Sequence, residues 1–118
     1  MRKCVALVAA LASLSCNDVD SCENTSQVEI PSPDHQRGAW VFIRGCGPTT
    51  LNSVHVAILP AGSPPPAEAG NTFILEPVIA VSVKWPSGRE LLISHERRGR
   101  VLKQEQQVAG VAVSYRLE

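Results

Sequence analysis

Four cysteines carry the most reactive chemistry in this sequence: Cys4, Cys16, Cys22 and Cys46. Cys46 stands in "RGCGPTT", residues 44–50, between two glycines at the end of an apolar run. Three kinds of chemistry suit such a residue. As a nucleophile it needs a lowered thiol pKa and a nearby base, and His35, His55 and His95 are the imidazoles available. As a zinc ligand it needs partners at a spacing such as C-x-x-C or H-x-x-x-H. Neither pattern occurs, so no metal site and no cofactor are expected. As half of a disulfide it needs an oxidising compartment and a second thiol.

The amino terminus bears on that choice. "MRKCVALVAALASLSC" opens with Arg2 and Lys3 and then runs apolar from Val5 to Leu14. A charged start, a short apolar stretch and small side chains are the parts of a signal peptide. A spanning helix needs about 20 apolar residues, so this run is read as a signal over residues 1–15 and not as an anchor. Two exits compete. Ala10-Leu11-Ala12 suits ordinary cleavage before Ser13, whereas "SLSC" resembles a bacterial lipobox with Cys16 as the lipid-bearing first residue. Ser13 and Leu14 are reversed relative to the usual lipobox order. Cysteine arithmetic favours the lipid. With Cys4 removed and Cys16 acylated, Cys22 and Cys46 remain as a pair, and a bridge between them is expected. Asn17 is not the aspartate associated with inner-membrane retention, which by analogy tilts the expected location toward the outer membrane.

Charge and motifs exclude several function classes. Basic and acidic residues number eleven each, and loss of Arg2 and Lys3 leaves a slight acidic excess. Nucleic-acid binders carry a basic excess, so no nucleic-acid partner is expected. The hydrolase patterns G-x-S-x-G and S-x-x-K are absent. The acidic residues are scattered through turns and give no paired-carboxylate spacing. The densest charge lies in "HERRGRVLK", 95–103, where Arg97, Arg98, Arg100 and Lys103 surround a tight turn. Such a turn could meet anionic headgroups or cell-wall polymer, or be no more than a solvated hairpin tip.

The elements that must position these residues read as strands. Residues 16–27 are polar and acidic and form an expected tether. "GAWVFIRG" sets Trp40 and Phe42 against Val41 and Ile43, and "SVHVAILP" sets Val54, Val56 and Ile58 against His55, Ala57 and Leu59. Two apolar faces mark central strands, and His55 is expected to face away from the core. "PAGSPPPAEAGN" (60–71) is a proline-rich loop, since consecutive prolines cannot donate ladder hydrogen bonds; it reads as a surface insertion. "TFILE" is a short strand. "IAVSVKW" and "ELLISHE" alternate strictly around "PSGR" and read as a hairpin. "VLKQEQQV" fits strand or short helix, and "VAVSYRL" alternates again. About seven short strands with frequent turns predict an all-β antiparallel sandwich or curled sheet, one domain over 28–118.

The segments "SPD" (32–34), "RGCGPTT" (44–50), "HVAILPAG" (55–62), "GNTF" (70–73), "VSVKW" (81–85), "ELLIS" (90–94) and "GVAVSY" (110–115), in that order, resemble a family of short bacterial exported proteins built around a Cys-Gly-Ala-Thr-Thr motif. The likeness covers residues 31–118. Pro48 replaces the motif's alanine, and His35 stands where a glycine often follows Ser-Pro-Asp. The resemblance implies a bacterial envelope protein and brings no functional residues with it.

The sequence thus leads to an expected non-enzymatic envelope lipoprotein. It would be held to a membrane through Cys16, stapled by Cys22–Cys46, and structural or binding in its work toward an envelope protein or cell-wall partner. A periplasmic enzyme or redox protein using Cys46 with a histidine is the alternative. An inhibitor or immunity-like binder presenting loop 60–71 is a third.

Overall fold

The computed structural model describes residues 21–118. The signal reading and the lipid site at Cys16 lie outside them. Nine strands form two sheets, and the described residues contain no helix. Strands β1 (Glu23–Pro31), β2 (Arg37–Gly45), β3 (Ser53–Pro60), β4 (Phe73–Glu76) and β7 (Arg100–Gln104) make one sheet in the order β1-β2-β3-β4-β7. Strands β5 (Val81–Ser87), β6 (Glu90–His95), β8 (Gln107–Val108) and β9 (Val111–Leu117) make the other, in the order β5-β6-β9-β8.

The expected all-β sandwich is therefore found, with two strands more than the sequence pattern gives. Strand β1 replaces much of the predicted tether, which ends before Glu23 instead of at residue 27. This edge strand is largely exposed and bulges between Thr25 and Val28, with Ser26 at φ 54°. A bulge inserts an extra residue and shifts the alternation, so no period-two signal survives. Strand β8 has only two residues. The sandwich is also not wholly antiparallel: β6 and β9 pair in parallel. The chain leaves β6, contributes β7 to the opposite sheet, and returns through β8, which is the crossover that a parallel pair requires.

The main core lies between the sheets. Val56, Ile58, Phe73, Leu75, Leu91, Ile93 and Val111 are buried there. Each contributes roughly 1.5–3 kcal/mol by leaving water. Trp85 Nε1 donates to Ile30 O at 2.8 Å and ties β5 to β1 across the open edge. The outer face of the five-stranded sheet holds a second, smaller core of Trp40, Phe42 and Ala57, with Leu59 against it.

Cys22 and Cys46 are bonded to each other. Glu23 pairs with Gly45 at the last rung of the β1–β2 ladder, so the bridge is one further rung, placed where an edge strand would otherwise fray. It closes a loop with a sequence separation of 24, for which the chain-entropy model gives roughly 3–4 kcal/mol. The pair lies outside both apolar clusters. A Cys22→Ala/Cys46→Ala protein should therefore still fold, with its urea midpoint lowered by about 3 kcal/mol equivalent. Reductant should lower the wild-type midpoint alone; a double variant as stable as wild type would show that the ladder holds β1 unaided.

Candidate functional site

The two sulfur atoms that the sequence offered for chemistry are consumed by the bridge, so Cys46 holds no thiol in this structure. The three histidines lie at separate places in the fold. His35 occupies the β1–β2 turn at φ 59°. His95 is buried against Phe73, with Nδ1 2.9 Å from Glu96 O. Among the described residues no three His, Cys, Asp or Glu side chains come together as a metal site.

The four expected cations do not converge. Arg98 pairs with Glu96, and Arg100 Nη2 lies 3.4 Å from Glu76 Oε1. Arg97 is exposed in the turn itself. Lys103 stands on β7 opposite Ile74, in the row that continues through His55 to Phe42. That row belongs to the outer face, so Lys103 is separate from the arginines of the turn.

His55 is buried at 4% exposure. It does face away from the inter-sheet core, but the outer face is covered too. Residues 60–71 fold back over it as an arm and are not a free loop. Asn24 Nδ2 donates to Pro66 O at 2.9 Å and Glu68 O at 3.0 Å, Gln27 Nε2 to Pro66 O at 2.6 Å, and Arg44 Nη1 to Ala67 O at 3.3 Å. Prolines leave their carbonyls free while lacking N–H donors, so side-chain amides from β1 can hold the arm without any ladder. The groove between arm and sheet, about 450 Å³, is lined by Ala57, Leu59, Pro64, Pro66 and Asn71.

The arm closes through "GNTF". The place of a Cβ on Gly70 lies 2.7 Å from Val56 O, so only glycine permits this approach. Gly70 N–H donates to His55 Nδ1 at 2.8 Å, which fixes the neutral ring with hydrogen on Nε2, facing Ser53 Oγ at 2.8 Å. Asn71 then imitates a strand residue. Its Oδ1 accepts from Ile58 N and its Nδ2 donates to Ile58 O, both at 2.9 Å. Phe42 stacks on the His55 ring at 5.3 Å.

A third feature was missed by sequence reasoning. Where the turns 32–36, 87–89 and 109–110 meet, a cleft of about 360 Å³ is lined by Asp34, Gln36, Arg37, Leu59, Arg89 and Ala109. Arg37 Nε donates to Ala109 O at 3.2 Å, and Nη1 to Gly88 O at a long 3.5 Å. The ion pairs of the described residues use neither Arg37 nor Arg89. Single arginines far apart in sequence give no motif; only the turns' convergence brings them together.

Burial first, then the charges of Arg44 and Lys103, lower the His55 pKa from 6.5 to about 4. Above pH 6.5 the ring is neutral in both folded and unfolded chains. Between 6.5 and about 4 only the unfolded chain binds the proton, so stability falls across that window and levels off below it. The contribution is on the order of 3 kcal/mol. Protonation of the folded ring, around pH 4, also puts an N–H on Nδ1 against Gly70 N–H, so the arm should loosen there. An NMR titration should place the His55 ring midpoint near 4; a midpoint at the ordinary value of 6.5 would show that the ring is solvated.

No protein-family model, curated protein or solved structure matches the chain, and its function is read from the geometry above.

Proposed function

We propose that this chain is an exported bacterial envelope protein, held to a membrane by lipid on Cys16, whose folded domain binds or scaffolds and does not catalyse. The observation that carries the reading is the Cys22–Cys46 disulfide. Such bonds persist in oxidising, extracytoplasmic compartments, and this one begins six residues after the lipobox-like cysteine. The segment order and the Cys-Gly-Pro-Thr-Thr variant of the motif support a place among short bacterial exported proteins.

The polarity of the fold supports the anchor. Cys22 enters at one end of β1, and the turns 46–52, 77–80 and 96–99 lie at that same end by strand register. Exposed Leu51, Val78 and Leu117 are there, together with Arg97, Arg98 and Arg100. Apolar tips beside cations suit an anionic lipid surface, where each basic residue contributes about 1 kcal/mol. The domain would then stand on this end.

Two measurements follow. Cells fed a palmitate analogue should label the wild-type chain, and Cys16→Ser should abolish the label and release the protein; a label that survives this substitution overturns the anchor. Soluble Cys16→Ser protein should bind anionic vesicles weakly. Arg97→Glu/Arg98→Glu should reduce that binding by about tenfold or more, whereas unchanged binding would remove this end from the membrane surface.

A further inference from the structure

The opposite end of the sandwich holds the Arg37–Arg89 cleft, and we propose that it is a binding site for the terminal carboxylate of a short peptide carrying small aliphatic side chains. The inference deepens the binding role proposed above; its preference for an envelope ligand over a headgroup rests on the Cys16 anchor, and the carboxylate site itself does not.

The Cβ position of residue 110 lies 3.4 Å from Arg37 Nη2 and 3.7 Å from Arg89 Nη1, so the two guanidinium groups flank the same face of Gly110. Residue 110 is glycine, at φ 79°, a conformation that side chains of L-residues strain to adopt, and it puts no side chain between them. Arg37 is held by the carbonyls of Ala109 and Gly88 before any ligand arrives. A donor so fixed loses little freedom on binding. Guanidinium forks match a carboxylate with paired, charge-assisted hydrogen bonds.

The remaining lining selects among anions. Asp34 also borders the cleft. Ser32 Oγ at 2.7 Å and Gln36 N–H at 3.2 Å hold its carboxylate below the ordinary pKa, with a smaller contribution from Arg37. Two cations against one permanent anion leave a single positive charge, which fits a monoanion and disfavours a phosphate dianion beside Asp34. Leu59, Pro60 and Ala109 supply apolar wall, and Gln36 supplies an amide. A volume of about 360 Å³ lies at the small end of ligand sites, enough for a chain end and not for a long polymer.

Position supports an envelope ligand over a headgroup. Strand β1 runs nine residues from the disulfide to this end, about 30 Å at strand rise. On a Cys16 anchor the cleft points away from the membrane that holds the lipid.

The test uses the full processed chain in detergent and N-acetyl-alanyl-alanine, as the free acid and as its terminal amide. The acid should give saturable NMR shifts at Arg89, Ala109 and Gly110 and bind at least about tenfold tighter than the amide. Inorganic phosphate and acetate should bind more weakly than the acid. Arg89 is exposed and, among the described residues, makes no ion pair, so Arg89→Ala should keep the melting temperature and lose about tenfold in affinity. Equal binding of acid and amide, no saturation at millimolar acid, or phosphate or acetate binding as tightly as the dipeptide would each overturn the proposal. The acid–amide comparison needs no variant, so a misfolded Arg89→Ala chain cannot shelter it. A chain that takes the lipid label but binds no dipeptide loses this site and keeps the anchor; a chain that binds without the label keeps the site.

Discussion

Strands β2 and β3 are apolar on both faces, and most of the architecture answers the need to cover both. Val56 and Ile58 point into the sandwich, while Phe42, Trp40 and Ala57 point out of it. A second sheet can cover only one face. The other would expose a contiguous apolar patch of the kind that drives association. Residues 60–71 meet that need within the chain. They are too rich in proline to form another strand, and so they lie across the face on side-chain hydrogen bonds from Asn24, Gln27 and Arg44.

This explains which parts of the fold were legible. Alternation in "VSVKW" and "ELLIS" has one meaning, because β5 and β6 bury one face against the core, with Leu91 and Ile93 inward. In β3 both sets of residues are buried, so the pattern marks a central strand without saying what covers each side. The pattern therefore places His55 on the correct face without saying what covers it. Strand β1 was illegible for a different reason: its bulge at Ser26 breaks the period, and its stability comes from the rung supplied by Cys22 and Cys46 and from Trp85 reaching Ile30. Such long-range supports leave no local trace.

The segments that carry the resemblance have structural work that accounts for their residues. In "SPD", Ser32 Oγ lies 2.7 Å from Asp34 Oδ1 and accepts from Arg37 N at 3.1 Å, closing the β1–β2 turn. His35 follows at φ 59°, which is the reason a glycine would suit that position. "GNTF" seats the arm, and "RGCGPTT" closes the disulfide end, with Thr50 Oγ1 donating to Gly47 O at 3.1 Å. Segments that serve the backbone in this way need not report an activity. Function has to be sought where side chains are held in place without serving the core.

That criterion separates the two ends of the molecule. At the disulfide end, Arg98 and Arg100 already have carboxylate partners, and the apolar tips are scattered among turns. At the far end, Arg37 is fixed by two backbone carbonyls, and Arg89 meets it over a glycine that leaves room between them. The parallel β6–β9 pair is what makes this possible. Because β9 runs with β6, the turn before β9 and the turn before β6 lie side by side: Ala112 N–H donates to Arg89 O, and Gly110 comes close to the Arg89 guanidinium. An antiparallel return would have sent residues 109–110 to the other end of the sheet and left Arg37 without its carbonyl support. The departure from the expected topology and the cleft thus have one cause.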